Sequence, residues 1–334
     1  MLSFGGKSGR SVIRPTFLTR KVYLVNQART QLTEKRAARA KSWNLERQQS
    51  RFALLLLLPS ALAIALFIAY PVIFSFLLTF SDFSVREIKW FAAGTSNYQS
   101  VLKDRGFTMA LQFTAAYTIL YVPLSVGLAL LVGVLLQQAR VGIYFFRSVL
   151  FLPTVIPLTM GFLMFQWILD PNNGIFNYLL GQVFGLPGLE RNWLSDRNTV
   201  VGTLVAVTLW GFGPWILMLA GLLAIPKDFY EAARVDGATH WQEFWSITLP
   251  LMRNTLMVVT TLQVIRSLKV FVPIYVLTSG GPANASRSLY YLVFEKISQN
   301  KLAYATAVGW VFTVIVVVIA AGTSLLFRSP RRSD

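Results

Sequence analysis

The chain alternates long apolar runs with shorter polar stretches. Six of the runs are long enough to cross about 30 Å of hydrocarbon as helix. They cover about residues 52–80, 107–136, 148–169, 199–225, 254–278 and 302–327. Pro59 and Pro71 predict bends in the first run. Pro153 and Pro157 fall near the start of the third, and Gly211, Gly213 and Pro214 in the middle of the fourth. A helix bundle tolerates such breakers because neighbours can satisfy the freed backbone groups. The pattern predicts an all-α, polytopic membrane protein with six transmembrane helices in one domain, residues 52–327. It is flanked by a polar arm, 1–51, and a short tail, 328–334. Between residues 26 and 49 the arm has no Pro or Gly and favours helix.

One polar island differs from the other loops. Residues 225–250, IPKDFYEAARVDGATHWQEFWSITLP, hold Asp228, Glu231, Asp236 and Glu243, four of the fourteen acids in the chain. Asp228 followed by Glu231 reads as a capping box for a first short helix. Ala232 and Ala233 are good helix formers, and Gly237 suits the stop. Thr239 followed by Gln242 reads as a second capping box. Trp241, Phe244, Trp245 and Thr248 then share one face at helical spacing, and Pro250 is expected to stop or bend the helix at its far end. The expected unit is a helix–turn–helix hung between two spans, with an aromatic face that must bury against something. A helix lying on the membrane surface would carry basic residues on its polar face. Here Lys227 and Arg234 are the only Lys or Arg.

Composition narrows the class. Of 334 residues 54% are hydrophobic and 13% charged, where a soluble protein carries about a quarter charged residues. With no cysteine there is no disulfide and no zinc–cysteine site. The single histidine, His240, cannot build a metal cluster and is expected on the surface of the loop. The net charge of +17 sits largely in the arm, which holds twelve Lys or Arg. That arm has few aromatics and no recognisable nucleic-acid module. Its expected partner is the anionic bilayer surface, at roughly 1 kcal/mol per cation, and no nucleic acid. Its first apolar run begins only at Phe52, so no cleaved signal is expected. With the N-terminus inside, the inner segments hold 20 basic residues and the outer loops 9. Both termini and the 225–250 loop are therefore expected in the cytoplasm.

Arg266 and Lys269 lie inside the fifth run, three residues apart and on one helix face. All fourteen acids fall outside the six runs. A charge at the bilayer centre costs roughly 2.5–3.5 kcal/mol, so such residues face a bundle interior or a watery cavity. No P-loop is present: the nearest match, Gly6-Lys7-Ser8, has Met1 where the first glycine belongs. There is no nucleophile elbow and no HExxH. No intramembrane acid or histidine marks a proton-coupled carrier. The chain is not expected to be an enzyme.

Glu231-Ala232-Ala233, then Asp236-Gly237-Ala238, then Phe244, Ile247, Leu249 and Pro250 resemble the EAA loop of the permease subunits of bacterial ABC importers. Residues 267–282, SLKVFVPIYVLTSGGP, look like the fifth core helix and following turn of the carbohydrate-type permeases, the family of maltose, glycerol-phosphate and oligosaccharide uptake. The resemblance implies the type I ABC importer permease fold in a bacterial inner membrane. It implies that the loop docks on an ATP-hydrolysing subunit, with Glu231, Ala232, Ala233, Asp236, Gly237, Ala238, Trp241, Phe244, Ile247, Leu249 and Pro250 at the dock. It implies a second permease, two ATPase subunits that bind ATP and Mg, and an extracytoplasmic solute-binding protein, with no cofactor on this chain. The fifth core helix of the family borders the transport pathway. Arg266, with Lys269, is a candidate contact for an anionic sugar such as a uronate oligosaccharide or a phosphorylated polyol; the competing reading is that Arg266 pairs with carbonyls or with an acid on a partner subunit and that Lys269 is a scaffold feature. An ATP-independent sugar carrier and a membrane scaffold are the alternatives.

Overall fold

The computed structural model describes residues 55–83, 87–138, 142–211 and 213–326. The arm and the tail fall outside the described residues. The chain divides into two units, 1–73 and 74–334. The described part of the first unit, residues 55–73, is helical and contains a π turn at Ala65–Ala69. The cores, the helix breaks and the 225–250 loop all belong to the second unit.

Among the described residues, four helices are long and apolar enough to cross a bilayer: Leu55–Leu78, Arg105–Gln137, Arg253–Leu277 and Leu302–Thr323. The only strands among them are the two-residue pair Asp82–Phe83 and Ile88–Lys89. The third predicted run is not one straight helix. It begins earlier, at Ile143, and consists of Ile143–Val155 and Leu158–Ile168 meeting at 95°. Pro157 is the reason: it biases Ile156 out of the helical region, to φ −72° and ψ 128°.

The fourth predicted run is likewise two helices, Val200–Leu209 and Trp215–Leu223, each too short to span alone. Gly213 sits between them at φ +62°, where a Cβ would meet Ser125 Oγ at 2.7 Å. Glycine is needed there both for the left-handed backbone and for the approach to the second run. The fifth run is interrupted as well. Its helix Arg253–Leu268 ends at Lys269, and a short helix, Val272–Leu277, resumes with Pro273 in its first turn.

Two hydrophobic cores result. One gathers Tyr117, Tyr121, Leu204, Ile274, Leu289 and Val308. The other gathers Leu136, Trp215, Met218, Leu222, Met252 and Val259. The helix Arg105–Gln138 supplies both, and Val126 packs against each. Small residues bring the helices of the second core close. A Cβ on Gly221 would meet Thr255 Oγ1 at 2.6 Å, and one on Gly133 would meet Leu222 Cδ1 at 3.1 Å. Buried polar side chains bond across helices: Tyr121 Oη donates to Gln263 Oε1 at 3.2 Å, and Ser267 Oγ to Thr118 Oγ1 at 3.1 Å.

Candidate functional site

The three helix breaks converge. A cavity of about 660 Å³ is lined by Pro153 and Ile156 from the first break, Trp210 and Gly213 from the second, and Lys269 and Phe271 from the third. Irregular backbone at membrane depth is tolerated where it lines a water-filled cavity, because water can then satisfy the freed N–H and C=O groups. Tyr117, Tyr121, Phe162 and Tyr290 complete an aromatic wall. Arg266 and Lys269 both line the cavity, and no Asp or Glu does. Among the described residues no carboxylate forms an ion pair with either cation. The sequence placed these two cations on one helix face. In the structure Arg266 belongs to the last helical turn and Lys269 to the break itself.

The 225–250 loop forms the expected pair of helices with different detail. The first is Asp228–Val235. Its expected capping box is absent: Lys227 holds the cap position, and no side chain caps the helix. Asp228 and Glu231 lie inside the first turn, where their charge still favours the positive helix end. Gly237, at φ +79°, ends the helix as predicted, and the Ala238 N–H reaches back to the Ala233 carbonyl at 2.9 Å. The second capping box is formed, with the Thr239 hydroxyl accepting from the Gln242 N–H and the Gln242 side chain accepting from the Thr239 N–H.

The second helix, His240–Glu243, continues through a π turn, Phe244–Thr248, into Leu249–Leu251. The helix runs one residue past Pro250 and breaks at Met252, in keeping with the expected stop or bend. The π turn widens the ladder just ahead of Pro250, whose ring would otherwise press on the carbonyl four residues back. A one-turn helix, Leu249–Leu251, then leads through Met252 to Arg253–Leu268.

Within the loop, Glu231, Ala232, Asp236, Gly237, Trp241 and Pro250 are exposed, and Ala233, Ala238, Phe244, Ile247 and Leu249 are partly buried. The predicted aromatic face divides. Thr248 is buried, whereas Trp241 and Trp245 are 69% and 51% exposed. Trp241, Phe244 and Trp245 still form one cluster, with ring centroids 5.6 to 6.2 Å apart. Within this chain the outer part of the face is uncovered.

The polar interior of the loop was not visible in the sequence. The side chain of Glu243 is 7% exposed. Arg234 Nε donates to its Oε1 at 2.9 Å, and His240 Nδ1 lies 3.1 Å from its Oε2. Burial pushes the Glu243 pKa upward, but the hydrogen bonds and charges of Arg234 and His240 outweigh it, so the net shift is downward. His240 is a surface residue as expected, its side chain 86% exposed. Tyr230 bonds Thr248 through their hydroxyls at 2.9 Å and packs on the second core. The nine-residue separation of Arg234 and Glu243 is not a helical repeat, so periodicity could not have paired them.

Cavity and loop together are the features of a transport permease. The chain belongs to the family of binding-protein-dependent transport system inner membrane components, whose sequence profile matches residues 122–329. It is 32% identical to the probable ABC transporter permease protein YurN of Bacillus subtilis, over 84% of this chain and 98% of that protein. It is 31% identical to the trehalose/maltose transport system permease protein MalF of Thermococcus litoralis, over 81% of this chain and 92% of that protein. The fold matches a chain from the crystal structure of a bacterial ABC transporter involved in the import of the acidic polysaccharide alginate. That match has a TM-score of 0.73 and 22% identity, covering 87% of this chain and 98% of that one. The chain is therefore a multi-pass inner-membrane permease subunit of a carbohydrate ABC importer. Membership in this family displaces the carrier and scaffold alternatives.

Proposed function

We propose that this subunit forms part of the import pathway for an anionic carbohydrate and couples that pathway to a separate ATPase. One observation carries the substrate class: Arg266 and Lys269 share a cavity wall that holds no acid. A uronate carboxylate entering there would meet two cations and an aromatic wall suited to sugar rings. The alginate importer whose fold this chain shares acts on an acidic polysaccharide, which agrees in charge.

The exposed Trp241 and Trp245, clustered with Phe244, support docking of the loop on an ATPase, which would bind the ATP and Mg. The assembly is completed by a second permease, a pair of ATPase subunits and an extracytoplasmic binding protein. In that arrangement both termini and the loop face the cytoplasm, where ATP is available.

The test measures transport and ATP hydrolysis by the assembled complex. Glu231→Lys and Gly237→Asp should abolish substrate-stimulated hydrolysis without lowering insertion. Arg266→Gln should raise the half-saturating concentration for an acidic oligosaccharide and leave a neutral one unchanged. Unaltered hydrolysis in the loop variants would sink the docking role. Unaltered uptake of the acidic sugar by Arg266→Gln would sink the substrate class.

A further inference from the structure

Among the described residues Glu243 is the one charged side chain in the buried interior. Its surroundings are specific. Each carboxylate oxygen has its own partner, Arg234 Nε on Oε1 at 2.9 Å and His240 Nδ1 on Oε2 at 3.1 Å. Arg234 comes from the first loop helix and Glu243 from the second, across the left-handed turn at Gly237. The pair closes a nine-residue loop. A second tie runs parallel to it, from Tyr230 on the first helix to Thr248 on the second, at 2.9 Å.

Thr248 also reaches the Glu243 carbonyl at 3.4 Å, so the two ties meet at one residue. Tyr230 rests on the core that contains Trp215, Met218, Leu222 and Met252. The two ties thus join the loop helices to each other, and the packing of Tyr230 seats the loop on that core. Meanwhile the exposed Trp241 and Trp245, with the partly buried Phe244 between them, flank Glu243 on the same helix.

With the Arg234 side chain 58% exposed, the pair is a poor source of stability, because solvent screens the attraction. What the pair supplies better than apolar contact is a single geometry, since its hydrogen bonds are directional. We propose that Glu243 is a positioning residue for energy coupling: with Arg234 and His240 it locks the two loop helices at one angle. Displacement of the aromatic cluster then moves the second core as a body instead of folding the loop. This rests on the proposed docking role of the loop and adds a residue that the EAA resemblance did not include.

The experiment reconstitutes the assembled transporter in proteoliposomes and measures substrate molecules moved per ATP hydrolysed. It compares Glu243→Gln, Arg234→Gln, the double variant and Glu231→Lys, each normalised to assembled complex. Loosening the clasp should lower the ratio by about threefold or more while ATP hydrolysis continues. The double variant should be no worse than the poorer single one, because both remove the same tie. A merely structural role would lower the amount of assembled complex and leave the ratio intact, which would overturn the proposal. Arg234 is exposed enough that Arg234→Gln should assemble even if Glu243→Gln does not. An unchanged ratio in that variant alone is decisive against the clasp. If Glu231→Lys uncouples and the clasp variants do not, the docking role stands and the clasp falls. If none of them lowers transport, both fall.

Discussion

The cavity and the loop hold charge in opposite ways. At the cavity, Arg266 and Lys269 line a wall with no acid, at the broken end of a helix, among aromatic, aliphatic and hydroxyl side chains. In the loop, Glu243 is enclosed and both of its oxygens are engaged. A charge left without a counter-ion is available to a ligand, because bringing in the opposite charge relieves its desolvation. A charge whose two oxygens are both engaged is less available to a ligand, and its value is geometric. Among the described residues, the same element of chemistry is unpaired in one place and held by two partners in the other.

Charge reversal at the cavity breaks the comparison most sharply. Arg266→Glu puts an acid on the acid-free wall beside Lys269. Uptake of an acidic oligosaccharide at low concentration should fall by about tenfold or more, equivalent to about 1.4 kcal/mol. A neutral oligosaccharide measured in the same vesicles should be affected far less. Equal loss of both would mean that Arg266 serves the fold and not the substrate.

The next effect tests whether the core beneath the loop must be tight. Gly221→Leu forces a side chain into space held by Thr255 and Met252, where a Cβ alone would meet Thr255 at 2.6 Å. Overpacking of this kind costs about 1–3 kcal/mol. The variant should lower the thermal midpoint of the purified complex, and Gly221→Ala should lower it less.

A smaller effect comes from the cap. Thr239→Ala removes the hydroxyl that accepts the Gln242 N–H and should cost about 1 kcal/mol locally. Hydrogen exchange over residues 240–243 is the suitable measurement, with faster exchange expected there and little change in the first loop helix.

The smallest is a pH effect. Glu243 has its folded-state pKa below the ordinary value of 4.5. Its clasp is therefore fully present above that value and is lost as pH falls through the lowered pKa. The thermal midpoint should dip on acidification below about pH 4.5, and Glu243→Gln should remove that component. The exposure of Arg234 and His240 to solvent keeps the effect small.

Much of this molecule is legible from its residues alone. Each apolar run betrays itself because insertion into hydrocarbon depends on local length and polarity. The loop stands out because acids are rare in this chain, and Thr239 with Gln242 signals its cap within four residues. The Gly237 stop is equally local. Asp228 misled for a local reason too: helix geometry begins one residue earlier, and an acid in the first turn serves the helix end without capping it. Pro250 signalled the end of the loop helix at Leu251 but not the π turn ahead of it. The first two breaks were signalled by Pro157, Gly213 and Pro214, but breaker residues do not say whether a helix bends gently, turns by 95° or parts in two.

Sequence alone determined that this is a helical membrane protein with a polar helix–turn–helix between its fourth and fifth apolar runs, and that Arg266 and Lys269 lie inside the fifth. Those properties follow from composition and short-range spacing. Only the tertiary structure decided that three helix breaks meet at one cavity, that both cations reach it without an acid beside them, and that Glu243 closes on Arg234 across the Gly237 turn. These depend on which segments pack together, and packing joins residues such as Ser125 and Gly213 that lie far apart along the chain.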